Sequence, residues 1–251
     1  MRSIVFIIAY LVFAGAQMQA APDSIFMKAN QLYQDGHYEE SIELYESVLL
    51  GGFESAALYY NLGNACFRSN KLGKARLYYE KSLKLNPTDD DVQANLKFLE
   101  GLLADRFEVL PEIFYKKWIN SAVASRSADK WAYISVVFFI VSIISIIVYL
   151  MLRQILWRKI GFYASIMTLL VSLASLTAAW KQHQDDVNPK TAVVTELSVN
   201  VKSAPRETGL GLFVLHEGAK VWLEDNTSGW QEIRLSDGRK GWLPEKSISP
   251  V

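Results

Sequence analysis

The chain has 251 residues, in which 26 lysines and arginines balance 26 aspartates and glutamates. This balance leaves no strong global field of the kind that attracts nucleic acid or an acidic partner. The length allows two small domains together with membrane segments, but not one large enzyme core.

The beginning of the chain has the features of a secretory signal peptide. One arginine precedes a short apolar run at residues 4–13, and small residues follow. We therefore predict a leader over residues 1–20. The alternative is an uncleaved membrane anchor, which would leave the following residues on the same outer side.

Residues 24–104 contain an internal repeat with helical spacing. A shift of about 34 residues, the period of a helix-pair repeat, places Asn30 on Asn64 and Tyr45 on Tyr79. Apolar residues within each unit recur at helical intervals. We expect Gly63 to be small because the two helices of its unit cross closely there. Pro87 ends the second unit, and Thr88 with the acidic run 89–91 predicts the N-cap of a further helix.

The stretch "LGNACF...GKARLYYEKSLKLNP" resembles the tetratricopeptide repeat consensus, and the matching residues are Leu62, Gly63, Cys66, Ala75, Tyr79 and Pro87. We predict two all-α repeats, 24–55 and 56–89, followed by a capping helix at 90–104. Two repeats are fewer than such stacks usually need to bury their faces. The extra helix, a partner protein or a second copy should therefore cover one end, and a homo-oligomer stays open.

Paired repeats present a concave groove that suits a segment of a partner protein. The candidate groove residues are four amides and one cation: Asn30, Asn61, Asn64, Arg68 and Asn95. These side chains could bond a partner's backbone, or the asparagines could serve capping and hydrogen bonding within the repeats. Some chaperone-binding repeats hold a peptide carboxylate at the positions of Asn30 and Asn61. Here Phe26 and Asp91 replace the basic residues of that clamp, which argues against carboxylate capture.

A linker over residues 105–130 precedes the most apolar part of the chain. It contains aromatic and basic residues, namely Phe107, Phe114, Tyr115, Lys116, Lys117 and Trp118. They predict either a helix lying in the lipid headgroup region or a linker packed against the repeats.

Two apolar runs, 131–152 and 160–180, are each long enough to cross a bilayer as a helix. Aromatic residues mark their ends, as expected at a membrane interface. The short connection holds Arg153, Arg158 and Lys159 and no acid, so positive-inside logic places it in the cytoplasm. We thus predict a hairpin in a bacterial inner membrane with both soluble domains in the periplasm. In the second span, Ala174 with Ala178 and Ser175 with Ala179 have the spacing of close helix packing.

Residues 191–251 alternate apolar and polar residues between short turns, which predicts a small all-β barrel. Asp237 and Gly238 supply a tight hairpin turn. The pieces "VNVKSAPRETG", "LHEGAKVWL" and "SGWQEIRLSDGRKGWL" resemble a bacterial SH3-like domain. That resemblance implies that Trp230 and Trp242 lie near the barrel core. A surface formed by Arg206, Trp222 and Arg234 is a candidate site for a peptide or a glycan.

The sequence predicts no catalytic residue, cofactor or metal site. His37, His183 and His216 fall in different segments, and neither a nucleotide-binding loop nor a metal-ligand spacing occurs. Cys66 occupies a repeat position that normally packs between helices, so we expect a buried structural thiol.

The order of signal peptide, repeats, linker "RFEVLPEIFYKKW", membrane hairpin and SH3-like block resembles the BatE-type proteins of bacterial aerotolerance operons. The resemblance implies a membrane scaffold that works in envelope and oxidative stress tolerance. Its implied partners are membrane-anchored von Willebrand A domain Bat proteins and, indirectly, a MoxR-type ATPase, with membrane lipid around the spans and no nucleic acid. The alternative is a sensor or tether that binds peptidoglycan through the SH3-like domain.

Overall fold

A computed structural model describes residues 23–107 and 114–251. The predicted signal peptide, residues 1–20, lies outside the described residues, as do residues 108–113 of the predicted linker. The described chain divides into two compact units. The first combines the repeat region, residues 23–107 without 86–88, with a β-domain, residues 191–251. The second comprises residues 114–190 with 86–88.

Five helices form the repeat region: α1 (23–34), α2 (Tyr38–Leu50), α3 (Ala56–Arg68), α4 (Leu72–Leu85) and α5 (Asp90–Glu100). The Ser55 hydroxyl caps α3 by accepting from the Leu58 amide at 3.1 Å. The cap of α5 is Asp89, whose carboxylate accepts from the Val92 amide at 3.2 Å, and not Thr88. The predicted capping helix at 90–104 is shorter than expected, since α5 ends at Glu100.

The helices of the second repeat cross where Gly63 faces Tyr79. A Cβ atom on Gly63 would lie 2.7 Å from ring carbons of Tyr79, which confirms that this position must be small. A serine also bonds the two helices of each pair, at a different position in each: Ser41 donates to the Ala29 carbonyl at 2.9 Å, and Ser82 donates to the Ala56 carbonyl at 2.8 Å.

The β-domain consists of seven antiparallel strands: β1 (Thr191–Val194), β2 (Ser198–Lys202), β3 (Gly211–His216), β4 (Lys220–Thr227), β5 (Trp230–Arg234), β6 (Lys240–Pro244) and β7 (Ile248–Pro250). Their order is β3-β2-β6-β5-β4-β1-β7. The first and last strands of this order do not pair, so the sheet is not closed by hydrogen bonds as the predicted barrel would be. The hairpin turn predicted at Asp237 and Gly238 is confirmed between β5 and β6.

The core of the β-domain lies on one face of the sheet and excludes the tryptophans expected there. Alternate residues of a strand point to opposite faces. Gln231 and Ile233 are buried on β5, and Leu243 is buried on β6. Trp230 and Trp242 have the opposite parity and are only half-buried, so the expectation that they lie near the core is wrong.

Helix α4 packs against strand β1 within the first unit. Leu77 on α4 and Val193 on β1 are both buried, yet neither belongs to the core of the repeat region or of the β-domain. Ala192 and Val194 belong to the β-domain core, so Val193 points to the other side of the sheet, where α4 lies. A Cβ atom on Gly73 would lie 2.8 Å from the Val194 carbonyl oxygen, so only glycine permits this approach.

Polar contacts lie around the two buried residues, Leu77 and Val193. They comprise Gly73 N to Glu217 Oε2 at 2.9 Å, Arg76 to the Gly218 carbonyl at 2.7 Å, Lys220 to Glu80 at 2.7 Å and Lys84 to the Val251 carbonyl at 3.0 Å. The helix residues follow helical spacing and form one face of α4. This face looks like an ordinary solvated surface in the sequence, but it is an interface.

The segment after α5 makes a second connection between the two parts of this unit. Asp105 accepts from the backbone amide of His216 at 2.6 Å, and its other oxygen lies 3.0 Å from the imidazole Nδ1. Phe107 packs against the core of the β-domain. The structure therefore packs Phe107 against the β-domain, and not against the repeats as the packed-linker alternative had expected. The side chains of Phe114, Tyr115, Lys116, Lys117 and Trp118 lie outside the described set.

The second unit contains α6 (Phe114–Ala124), α7 (Ala128–Met151) and α8 (Ile155–Val187). Helices α7 and α8 are long and apolar enough to cross a membrane. Serines join them: Ser135 and Ser172 each donate to the other's carbonyl, at 3.0 and 2.9 Å. Ser142 donates to the Ser165 carbonyl at 3.0 Å. Of the small residues predicted to pack, Ser175, Ala178 and Ala179 are buried and Ala174 is exposed.

Candidate functional site

The four candidate asparagines form a hydrogen-bonded row across the first helices of the repeats, and we call them the asparagine row. Asn30 Oδ1 accepts from the Tyr45 hydroxyl at 2.5 Å and from Asn61 Nδ2 at 2.9 Å. One repeat further on, Asn64 Oδ1 accepts from the Tyr79 hydroxyl at 2.7 Å and from Asn95 Nδ2 at 3.1 Å. The same triad therefore occurs twice and links α1 to α3 and α3 to α5.

Each triad fixes the orientation of its central amide. Both lone-pair positions of the Asn30 and Asn64 oxygens are occupied by donors. The Nδ2 groups of these two residues consequently face away from the tyrosines as donors. Hydrogen bonding within the repeats, the alternative to partner binding, is thus present at all four asparagines. Their role in binding stays a prediction.

Burial keeps the tyrosines of the triads in their donating form. Desolvation raises the pKa of both Tyr45 and Tyr79 above the ordinary value, because the charged phenolate would lose its water. Each hydroxyl therefore remains protonated throughout the ordinary pH range and can donate to its asparagine. The row does not change its hydrogen-bond pattern through these groups between acidic and mildly basic pH.

The cation of the candidate site lies beside an aromatic cluster. The Arg68 guanidinium is 5.0 Å from the ring centroid of Tyr38, which itself meets Tyr33 edge-on at 5.4 Å. Next to Arg68 in sequence, Phe67 contacts Phe98, which is 63% exposed. In the described part of the chain, no ion pair neutralises Arg68. The 34-residue shift between the repeats also places Tyr33 on Phe67, which indicates a shared aromatic position, but no sequence pattern indicated Phe98.

The structure brings together two of the three residues predicted on the β-domain surface. Trp222 and Arg234 are cross-strand partners, and the guanidinium lies 5.4 Å from the indole centroid. Arg234 also pairs with Glu224 at 2.6 Å, and the hydrogen bond from Arg234 lowers the pKa of that carboxyl. Arg206 lies in the connection between β2 and β3, and no described contact joins it to the other two. Trp230 and Trp242, which sequence reasoning assigned to the core, share the outer face with Trp222.

The remaining reactive side chains do not form a recognisable catalytic group in the described structure. His216 pairs with Asp105, a contact that the sequence separation hid, but no described hydroxyl or thiol bonds to the imidazole. Cys66 is completely buried, and desolvation raises the pKa of its thiol to about 12. Residues 23–107 and 114–251 contain no group of three or more potential metal ligands.

Comparison with known families identifies one matching segment. The tetratricopeptide repeat family matches residues 56–89, which form α3 and α4 with the turns that border them. The prediction of this repeat class is confirmed for that segment. A comparison with curated proteins found no significant match to the chain. Repeats of this class are typical of proteins that bind other proteins.

Proposed function

We propose that the protein is a non-catalytic membrane scaffold whose repeats bind a segment of a partner protein. The observation that carries the proposal is the duplicated triad, because it holds the donor amides of Asn30 and Asn64 in one orientation. Preorganised donors lose little entropy on binding. Arg68, which has no ion pair within the described residues, and the exposed Phe98 add charge and apolar area. A partner segment with an extended backbone, an acidic group and an apolar side chain fits this combination.

The contact between the repeat region and the β-domain supports the proposed hairpin topology. Residues 23–107 without 86–88 and residues 191–251 belong to one compact unit, so they must lie on the same side of any membrane. The chain between them must then cross an even number of times. Helices α7 and α8 supply two crossings. The basic connection favours a cytoplasmic loop, with both ends of the hairpin in the periplasm of an inner-membrane protein.

The proposed setting is a Bat-type complex of envelope stress tolerance, and the resemblance of the segment order supports it. We propose that the groove occupant belongs to a membrane-anchored von Willebrand A domain protein, through which a MoxR-type ATPase is reached indirectly. We propose the SH3-like class for the β-domain, and the resemblance of its sequence pieces supports this. Its part in the scaffold is to complete the repeat region by covering α4.

Site-specific photocrosslinking in cells tests the binding face. A photoreactive residue replacing Arg68, beside the asparagine row, should trap a co-expressed von Willebrand A domain protein. The matched control replaces Glu43, which is exposed on α2. Equal trapping at both positions, or trapping at Glu43 alone, would rule out the row as the binding face. Trapping at Arg68 that Asn61→Ala abolishes would assign the amides to binding.

The alternative, a peptidoglycan sensor or tether, is favoured by one observation. Trp222, Trp230 and Trp242 share the outer face of the sheet, and cations stack on the first two. Indole faces of this kind suit sugar rings as well as peptides. Sedimentation of the detergent-solubilised protein with purified cell-wall sacculi separates the proposals: a tether cosediments and Trp222→Ala releases it, whereas a pure protein scaffold stays in solution.

A further inference from the structure

The connection between α7 and α8 forms a basic pocket with aromatic walls. A cavity of about 280 Å³ is lined by Tyr149, Ile155, Arg158, Lys159, Phe162 and Tyr163. The Arg158 guanidinium lies 5.3 Å from the centroid of the Tyr149 ring, and that ring lies 5.7 Å from Phe162. The walls therefore combine aromatic rings from both helices, and Arg158 and Lys159 line the same cavity.

A glycine sets the shape of this pocket. A Cβ atom on Gly161 would lie 2.9 Å from both the Ser145 carbonyl oxygen and the Tyr149 backbone nitrogen. These are backbone atoms that cannot rotate away. Only glycine therefore allows α8 to approach α7 closely enough to bring Phe162 and Arg158 against Tyr149. The pocket is built by the helix packing and does not depend on flexible side chains alone.

The cations of the pocket have no anion within reach on the two helices. Residues 130–184 contain neither aspartate nor glutamate. The nearest acid in sequence on α7 is Asp129, some twenty residues before Tyr149 and thus about 30 Å away along the helix axis. Asp185 is near the distant end of α8. In the described structure Arg153, Arg158 and Lys159 form no ion pair, so neutralisation must come from outside the hairpin.

We propose that this pocket binds the phosphate headgroup of an anionic phospholipid. The inference rests on the proposed membrane hairpin, because the pocket then lies at the level where headgroups and acyl chains meet. Arg158 and Lys159 would contact the phosphate, and the exposed rings of Phe162 and Tyr163 would lie along the first acyl carbons. A basic loop that only fixed topology would not require a cavity, whereas a lipid site does.

Lipid titration of the purified full-length protein tests the proposal. Native mass spectrometry in detergent should show tighter binding of phosphatidylglycerol than of phosphatidylcholine. The double variant Arg158→Gln with Lys159→Gln should weaken phosphatidylglycerol binding about thirtyfold, since each cation near a lipid surface contributes about a factor of five. The matched control, Lys130→Gln with Lys181→Gln, removes the same charge from the other ends of the helices and should leave binding essentially unchanged.

Three outcomes overturn the proposal. Equal binding of the two lipids would show that the pocket does not select an anionic headgroup, and equal losses in both double variants would show a general charge effect. Displacement of phosphatidylglycerol by millimolar inorganic phosphate would assign the pocket to a soluble phosphate group. Alkaline extraction of membranes tests the hairpin separately from the lipid site. Release of the protein would refute the membrane hairpin. Retention of a protein that shows no lipid preference would refute only the lipid site.

Discussion

The thiol of Cys66 should be chemically silent in the folded protein. It is fully buried, and burial raises its pKa to about 12, so at pH 8 almost none of it is the reactive thiolate. We expect negligible reaction with a soluble maleimide or a disulfide reagent over an hour at pH 8, and complete reaction in denaturant. Mass spectrometry of the intact protein measures both.

A matched control shows how fast an exposed thiol reacts in the same measurement. The variant Gln34→Cys introduces an exposed thiol on the same repeat region and should react within minutes. If native Cys66 reacted as fast as this control, the repeat core would be open in solution, and the close packing at Gly63 would be in doubt.

At the same scale, the sequence predicted the positions of the row but not its bonds. A shift of one repeat aligned Asn30 with Asn64 and Tyr45 with Tyr79 because repeats share their helix geometry. It could not show that each hydroxyl donates to the amide of its own unit, since side-chain direction depends on the helix crossing. Trp230 and Trp242 were misplaced for a related reason: alternation gives two faces, and it does not say which face is the core.

The interface between α4 and the β-domain depends on an ion pair that a charge reversal can test. Glu80 and Lys220 are 2.7 Å apart, and their side chains are only 13% and 30% exposed. Either Glu80→Lys or Lys220→Glu should weaken the interface by roughly 1.5–3 kcal/mol, the cost of a lost hydrogen bond to a charged group. Hydrogen exchange of the β1 amides, followed by mass spectrometry, should then be faster.

The double variant Glu80→Lys with Lys220→Glu should recover part of the protection, because the pair is restored with exchanged signs. Full recovery is not expected, since Arg76 also lies near Glu80 at 3.8 Å. Lys246→Glu, a reversal at an exposed position, is the control. Unchanged exchange in both single variants would show that the pair does not hold the β-domain to α4.

The close packing of α7 against α8 predicts how a larger residue between the two helices affects stability. Gly161→Leu should push the helices apart, break the serine contacts and cost roughly 1–3 kcal/mol, the usual penalty of an overpacked contact. Thermal unfolding of the full chain in detergent measures it. The control is Ala174→Leu, at an exposed site of the same helix. An equal loss of stability in both variants would show that Ala174 lies in the helix interface, as the small-residue spacing predicted.

Elements were predicted well where their signal is local. The repeat helices, the hairpin at Asp237 and the two long apolar helices follow from patterns within a few tens of residues. The face of α4 that meets β1 was missed because its partners lie more than a hundred residues further along the chain. A polar helix face with Arg76 and Glu80 has the same composition whether water or another domain covers it.

At the scale of the whole molecule, the contact between the repeat region and the β-domain makes topology testable with three thiols. In a Cys66→Ala background, we would place single cysteines at Gln34, Gln154 and Thr208, which are all exposed. Residues 34 and 208 belong to one compact unit, so both must give the same result in intact cells. Residue 154 lies between the two long helices and should give the opposite result.

The orientation of the hairpin in the membrane determines whether residues 34 and 208 are labelled or protected. After permeabilisation of the outer membrane only, an impermeant maleimide should label residues 34 and 208 but not 154, because the basic connection favours the cytoplasm. The reversed pattern would keep the hairpin but turn it over, and would move the asparagine row to the cytoplasmic side, directly accessible to an ATPase. Different results at 34 and 208 would contradict the interface between α4 and the β-domain, since a membrane cannot separate Glu80 from Lys220 at 2.7 Å.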